Sequence, residues 1–119
     1  MSHTFNWCQD RTKLSIYGNQ VFYVSPLGIK YWYLNDKLHR ENWPAIENPD
    51  GRRVWYSNGK LHRENGPAIE QVGGNKWWYF NGELHREDGP AIEYADGDKY
   101  WYLNGKRYSE SDYWKEVKK

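Results

Sequence analysis

Three histidines in matching surroundings are the side chains best suited to chemistry in this chain. His39, His62 and His85 each lie in a Leu-His-Arg-Glu segment, so a glutamate follows each histidine two positions later. Alternate residues of a strand share a face, and the sequence therefore predicts a histidine–glutamate contact in every segment. Such a pair could serve as a general base, and the imidazole could serve as a metal ligand.

The spacing of these histidines argues against both roles. They recur every 23 residues, and if each unit supplies two strands, equivalent residues lie about 9–10 Å apart. Zinc–nitrogen bonds are about 2.0–2.1 Å long, so equivalent histidines cannot share one ion. An active site also needs one asymmetric group of residues, whereas this pair is repeated. We therefore predict no catalytic residue, no metal and no cofactor, and we expect the histidines to stack on the repeat tryptophans and to form local hydrogen bonds.

Two other residue types recur with the same period and are the candidates for binding. The candidate binding residues are Tyr33, Tyr56, Tyr79, Tyr102, Arg40, Arg63 and Arg86. Tyrosine and arginine are enriched at the energetic centres of protein interfaces. The alternative is a structural role, in which the arginines pair with carboxylates across strands. The carboxylates available for such a ladder are Glu41, Glu64, Glu87, Glu47, Glu70 and Glu93.

A 23-residue repeat must position these residues. The repeat is marked by Trp32, Trp55, Trp78 and Trp101, and by Gly28, Gly51, Gly74 and Gly97. Self-similarity at such a period is the signature of a repeat array, whose terminal units are atypical. We predict a single domain over 1–119, with a degenerate N-terminal capping repeat at 5–30, tandem repeats at 31–108 and a C-terminal helical cap at 109–119.

Each unit has the local signals of a β-hairpin. Tyr-Trp-Tyr-Leu is a strong strand former. Both positions of an Asn-Gly turn need a positive φ, and these turns are Asn58-Gly59, Asn81-Gly82 and Asn104-Gly105. A two-residue turn pairs the residues that flank it, so Tyr56 should face Leu61 and Trp55 should face His62. The following Gly-Pro step breaks the return strand, because proline cannot donate to a ladder.

The C-terminal segment differs from the repeats. Ser109 begins a capping-box-like sequence, and Tyr113, Trp114 and Val117 could share one face of a short helix. We expect this helix to cover the last sheet edge, which would otherwise invite pairing with another chain. The fold class predicted is all-β: an antiparallel β-hairpin repeat array, forming an open twisted sheet, with a short C-terminal capping helix.

Strand alternation assigns the repeated residues to faces. The repeat tryptophans line one face, which we expect to be the more buried one, together with Ile46, Ile69 and Ile92. The repeat tyrosines line the other face, which is expected to be wetter and edged by the candidate arginines. This assignment depends on regular alternation, and a bulge at the Gly-Pro step would exchange the later assignments.

The composition limits the partners and the compartment. The 119 residues carry 17 Lys and Arg against 16 Asp and Glu, with 8 Trp, 11 Tyr and 3 Phe. A net charge of +1 argues against binding of double-stranded nucleic acid, whose backbone favours a basic excess. No segment approaches about 20 apolar residues, so no membrane span is predicted. Cys8 is the only cysteine and has no evident activating partner, which favours a reducing, cytoplasmic location.

The repeated units resemble two groups of repeat proteins. The units read YWYLNDKLHRENWPAIE, VWYSNGKLHRENGPAIE and WWYFNGELHREDGPAIE. Their Tyr/Trp strand, Asn-Gly-Lys turn and later Asp-Gly turn are similar to MORN repeats, with a shorter strand and a longer segment after Asn-Gly. They are also similar, over about 31–108, to WYxNGxLHRxDGPA units in small proteins of bacteriophages and giant viruses. The resemblance implies a MORN-like open sheet and a viral origin. Asp36 and Trp43 replace two repeat glycines and predict a local distortion.

Several functions are consistent with these features. Repeat arrays often bind partners across an extended surface. The first hypothesis is a non-catalytic protein that binds and inhibits a host protein, such as one of an antiviral defence system, in the host cytoplasm. The alternative is a protein that sequesters a nucleotide immune signal, because aromatic rings, arginine and histidine suit bases and phosphates. Three other possibilities also stay open: lipid binding, which only the MORN likeness implies, a structural part in a virion, and a homo-oligomer.

Overall fold

A computed structural model describes the backbone of residues 2–7 and 12–119 and the side chains from Leu14 onward. Cys8 therefore lies outside the described residues. Strands are the predominant regular secondary structure of the described chain. In chain order the elements are β1 (Ser2–Trp7), β2 (Thr12–Tyr17), β3 (Gln20–Val24), β4 (Lys30–Leu34), β5 (Lys37–Leu38), β6 (Ile46–Glu47), β7 (Arg53–Val54), β8 (Tyr56–Ser57), β9 (Lys60–Leu61), β10 (Ile69–Glu70), β11 (Lys76–Trp77), β12 (Tyr79–Phe80), β13 (Glu83–Leu84), β14 (Ile92–Glu93), β15 (Lys99–Leu103), β16 (Lys106–Tyr108) and α1 (Glu110–Val117).

Most of the strands form one open antiparallel sheet. Its order is β1-β2-β3-β4-β6-β7-β10-β11-β14-β15-β16, and β5 pairs with β4 beside this path. Each full unit supplies two strands to this sheet, while β8–β9 and β12–β13 are separate hairpins. The molecule is thin and elongated, measuring 54 × 29 × 17 Å. The predicted open array of antiparallel hairpins with a short C-terminal helix is confirmed.

In the middle units the repeat tryptophan divides its strand into two halves. The Trp55 N–H donates to the Ala68 carbonyl at 2.7 Å, and the Trp55 carbonyl accepts from the His62 N–H at 3.1 Å. The half before Trp55 therefore pairs within the main sheet, and the half after it pairs with the return strand. The predicted pairing of Tyr56 with Leu61 is confirmed. We call the hairpin after each repeat tryptophan the arm of its unit. The four arms are residues 33–38, 56–61, 79–84 and 102–107.

Successive arms are joined by a repeated pair of hydrogen bonds. The Gly59 N–H donates to the Leu38 carbonyl at 2.8 Å, and the Asn58 N–H donates to Nδ1 of His39 at 3.0 Å. The same two bonds join the later arms. Asn58 and Gly59 adopt φ of 50° and 82°, the left-handed conformation that a tight hairpin turn requires. The turn residues therefore close their own hairpin and also donate hydrogen bonds to the preceding one.

The repeated positions that are most completely buried carry small residues. Ala45, Ala68 and Ala91 are completely inaccessible to solvent, and the proline before each of them is buried. A single-layer sheet has no room for a thick aliphatic core. Small side chains allow the backbone segments of a unit to approach closely, and close packing rather than bulk excludes the water. The repeated Pro-Ala dipeptide was not identified as core by the sequence analysis.

The C-terminal helix lies where the sequence predicts it. Ser109 is the N-cap, and its Oγ accepts from the Asp112 N–H at 3.2 Å. The helix packs against β15 and β16, with Tyr113 buried, Val117 half-buried and Trp114 exposed. By the 23-residue period, α1 occupies the positions that a further Pro-Ala-Ile-Glu strand would take. No helix in the described part of the chain is long and apolar enough to cross a membrane.

The N-terminal meander, β1–β3, has longer strands, and its described residues form no separate arm. β3 pairs with both β2 and β4 over five residues. Tyr23 pairs with Tyr31, as Ile46 pairs with Val54 one unit later. The meander thus continues the register of the repeats, but its backbone stays in the sheet where a repeat unit would send out its arm.

Two of the predicted face assignments are wrong. Ile46 and Ile69 pair with Val54, which precedes Trp55 in its strand, and Ile92 follows the same pattern. The isoleucines therefore share the tyrosine face and not the tryptophan face. The candidate arginines lie over the repeat tryptophans and not beside the tyrosines. Both errors have one cause: the return strand ends before the arginine, and the chain then follows a loop up to the isoleucine strand, so strand alternation does not carry over these residues.

The first unit contains the predicted distortion. Asp36 keeps the left-handed turn, with φ of 64°, but Asn42 also adopts a φ of 64° in this unit. In the next unit a Cβ at Gly66 would lie 2.9 Å from the guanidinium carbon of Arg63. Trp43, which stands at the Gly66 position, cannot occupy that space, and its side chain is 62% exposed.

Candidate binding surfaces

Each repeat arginine is folded onto the tryptophan of its own unit. The guanidinium carbon of Arg40 lies 3.7 Å from the ring centroid of Trp32, and that of Arg63 lies 3.7 Å from the ring centroid of Trp55. The third unit repeats the arrangement at 3.8 Å. The same guanidinium donates to the carbonyl of the proline four residues later, at 3.0 to 3.2 Å. Cation–π attraction and these hydrogen bonds hold the loop against the sheet.

A carboxylate of the main sheet completes each arginine site. Nη1 lies 3.4 Å from Glu47 in the first unit, 3.5 Å from Glu70 in the second and 3.1 Å from Glu93 in the third. In the third unit Nε also donates to Asp88 at 3.0 Å. The ion-pair ladder that the sequence left as an alternative is thus present, with Glu47, Glu70 and Glu93 as its acids. The structure therefore brings the arginines together with tryptophan and glutamate, and not with the tyrosines.

The fourth unit has a serine, Ser109, where the others have arginine, and its tryptophan is covered by the helix. The Trp101 ring centroid is 4.9 Å from that of Tyr113 and 5.6 Å from that of Trp114. The Tyr113 hydroxyl donates to the Arg86 carbonyl and accepts from the Gly89 N–H at 3.2 Å. Burial raises the pKa of Tyr113, and the Gly89 hydrogen bond partly offsets this.

The histidines connect successive arms. Nδ1 accepts from the asparagine of the next arm, so Nε2 carries the proton of a neutral ring. Nε2 of His39 contacts Glu41, and in the third unit Nε2 of His85 lies 3.2 Å from a carboxylate oxygen of Glu87. His62 instead lies edge-on to Phe80, with 4.4 Å between ring centroids. Among the described residues, no group of three His, Cys, Asp or Glu could hold a metal ion.

The candidate tyrosines form a row on the opposite face. All four are half-buried. Burial raises the pKa of Tyr79, and the neighbouring hydroxyls of Tyr102 and Tyr56 raise it further. Burial also raises the pKa of Tyr33, and the neighbouring hydroxyls of Tyr31 in β4 and Tyr23 in β3 raise it further. The expected difference in burial between the two ladders is absent, because the repeat tryptophans other than Trp55 are half-buried too.

Three grooves occupy equivalent places on the tryptophan face, each between one arm and the unit before it. The second groove, about 350 Å³, and the third groove, about 990 Å³, have the Arg-Glu-Asn segment of the preceding unit as one wall. The first groove, about 450 Å³, has Tyr17 and Gln20 there instead. Tyr17 stands 23 residues before Arg40, so the repeat period could have indicated this difference, but the sequence analysis did not identify the first groove.

No protein-family model, curated protein or solved structure matches this chain. Its function must therefore be inferred from these surfaces.

Proposed function

We propose that the chain is a non-catalytic binding protein that attaches to a protein partner across its tyrosine face. We define the tyrosine face as the four repeat tyrosines and the residues that pair with them in the arms, Leu38, Leu61, Leu84 and Arg107. The observation that carries the proposal is the row of half-buried tyrosines, one for each unit, on an open sheet. A tyrosine offers a rigid ring for apolar contact and a hydroxyl for hydrogen bonding.

The extent of this row favours a macromolecular partner. Four units placed at about 9–10 Å intervals spread the tyrosines over roughly 30 Å. A standard protein interface covers about 800 Å² on each partner, and a row of that length supplies its long dimension. A small ligand would contact one or two units and leave the others without a role.

The repeat arginines have a structural role in this proposal. Each guanidinium is stacked on tryptophan and bonded to a carbonyl and a carboxylate. Recruiting Arg63 to a partner would therefore first break the contacts that hold its loop. The proposed binding residues are therefore Tyr33, Tyr56, Tyr79 and Tyr102.

The likeness to repeats of bacteriophages and giant viruses extends the proposal to the identity of the partner. We expect a host protein, and we expect binding to inhibit it, as would suit a protein that counters antiviral defence in the host cytoplasm. The sequestering of a nucleotide signal on the tyrosine face is the less supported alternative, because the arginines that would hold its phosphates lie on the opposite face.

The proposal is tested by capture followed by measurement with a purified partner. The immobilised chain is exposed to extract from candidate host cells, and the retained protein is purified and titrated by calorimetry. We expect Tyr56→Ser and Tyr79→Ser each to weaken binding at least about tenfold, the size of effect at an interface centre. Glu64→Gln, an exposed change on the tryptophan face, is the matched control and should leave the affinity unchanged. Affinity that survives both tyrosine changes would rule out this face.

A further inference from the structure

The first groove differs from the two equivalent grooves in the residues of one wall. In the second groove that wall is Arg40, Glu41 and Asn42. In the first groove the preceding unit is the N-terminal meander, which has no arm, and the Arg40 position is taken by Tyr17, which is 65% exposed. Unlike residues from two different kinds of unit therefore meet at this one groove.

The floor of the first groove consists of two rows of residues across neighbouring strands. Ser15, Phe22 and Trp32 form one row, and Tyr17 and Gln20 begin the other. Cross-strand partners share a face, so both rows present their side chains to the same side. The Phe22 and Trp32 ring centroids are 4.8 Å apart. The floor is thus aromatic, with a hydroxyl and an amide set into it, which is the pattern of a small-molecule site.

The opposite wall of the first groove carries both hydrogen-bond donors and acceptors. It is formed by His39, Arg40 and Glu41 from the return segment of the first arm. Arg40 uses Nη1 for its contacts with Pro44 and Glu47 among the described residues. In the third unit Asp88 also binds the guanidinium through Nε, but the equivalent residue here is Asn42.

The charges lining the first groove cancel. Among the described lining residues, Arg40 and Glu41 are the ones with a formal charge when the histidine is neutral. A strongly anionic ligand would gain from Arg40 but would approach Glu41 as well. An uncharged, planar molecule with both donor and acceptor atoms on its edge matches the wall better.

We propose that the first groove binds a nucleobase. The base would stack on Phe22 and Tyr17, its edge acceptors would meet N–H groups of Arg40, and its amino or imino groups would meet Glu41 or the Gln20 amide. The volume of about 450 Å³ lies in the range of small-molecule sites, about 300–1,000 Å³. Tyr33 of the tyrosine face also lines this groove, but Tyr17 and Gln20 lie outside that face, so changes at these two residues test the groove separately from protein binding.

The test is calorimetric titration of the full chain with adenosine, guanosine, cytidine and uridine, and with their 5′-monophosphates. We expect at least one nucleoside to bind saturably. Tyr17→Ser and Gln20→Ala, both at exposed positions, should each weaken this binding at least tenfold. Phe80→Ser, at an exposed ring of the third groove, is the matched control and should change it less than twofold. The nucleoside and its monophosphate should bind within about threefold of each other, because the described lining residues carry no net formal charge when His39 is neutral.

Four results would overturn the proposal. The first is that none of the nucleosides binds at millimolar concentration. The second is that binding is unchanged in Tyr17→Ser, or is lost equally in Phe80→Ser. The third is that phenylalanine or indole binds as tightly as the best nucleoside, which would show an unspecific aromatic contact. The fourth is that a monophosphate binds more than tenfold tighter than its nucleoside, which would show an anion site centred on Arg40.

Discussion

The two ends of this array are terminated by different means. At the N-terminal end, the meander adds three strands to the sheet in the register of the repeats, and it leaves the first groove open beside Tyr17. At the C-terminal end, α1 replaces the next strand and places Tyr113 and Trp114 on Trp101. One end is completed by backbone pairing and the other by side-chain packing.

This difference shows which property of a repeat each end must replace. An interior unit supplies its neighbours with backbone partners, and it covers its own tryptophan with its own arginine. The meander supplies the backbone partners without an arm, so a groove remains. The helix supplies the cover for the last tryptophan and ends strand addition, so aromatic residues at the two ends should differ sharply in their contribution to stability.

The largest expected effect comes from removing the buried ring at the helical end. Tyr113→Ala should lower the free energy of unfolding by about 3–5 kcal/mol, the cost of truncating a large buried ring, because Tyr113 is fully inaccessible. Tyr17→Ala at the other end should change it by less than about 0.5 kcal/mol, as for an exposed residue. Urea denaturation followed by circular dichroism measures both, and equal losses would mean that the ends are stabilised alike.

A smaller effect should come from the Tyr113 hydroxyl alone. Tyr113→Phe keeps the ring but leaves the Arg86 carbonyl and the Gly89 N–H without this partner, which should cost about 1–3 kcal/mol. Tyr102→Phe removes the hydroxyl of a half-buried residue and serves as the control in the same denaturation experiment. If the two changes cost the same, the hydroxyl does not anchor the helix to the third unit.

The helical end should also be the more sensitive to alkaline pH. Burial raises the pKa of Tyr113 in the folded state, so folding favours the neutral phenol. This contribution is fully present below the unfolded pKa of about 10 and is lost as the pH rises through the folded pKa. Between pH 9 and 11 the wild-type chain should therefore lose more stability than Tyr113→Phe. Denaturation curves for both proteins at each pH test this, and parallel losses would assign the effect to other tyrosines.

The smallest effect concerns the unit next to the meander. Asp36 adopts a φ of 64°, while the equivalent Gly59 has a φ of 82°. Asp36→Gly should relieve the left-handed conformation and stabilise the chain by about 0.5 kcal/mol. Gly59→Asp should have the opposite sign and is the matched control in thermal denaturation. A loss of stability in Asp36→Gly would show that the aspartate side chain holds the first arm.

The features that depend on neighbouring residues could be predicted from the sequence. Asn58-Gly59 forms the tight turn because few residues adopt its φ values, and Ser109 caps the helix because its hydroxyl reaches the Asp112 N–H. The 23-residue period predicted a hairpin repeat array because units of equal length place equal residues side by side, and the resemblance to MORN repeats implied that its sheet is open.

The features that depend on the path of a loop could not be predicted. Arg63 follows His62 in the chain, yet it lies over Trp55, because the strand ends before it and Gly66 leaves space for the guanidinium. Strand alternation gives no information beyond that point. The first groove was missed for a related reason, since it depends on how the meander replaces an arm and not on any residue of the repeat.

The hydrogen bonds donated by the turn residues of the arms run in one direction along the chain, whereas the Arg63 and Arg86 N–H groups donate to carbonyls of the next arm. The turn donors, such as the Asn58 and Gly59 N–H groups, belong to the later unit, and their acceptors, such as His39 Nδ1 and the Leu38 carbonyl, belong to the earlier one. During synthesis each new unit therefore emerges after the acceptors that its turn needs have been made. The meander, whose strands need no earlier unit, is the natural starting template. Such an array is suited to folding from its N-terminus while the ribosome is still translating the rest.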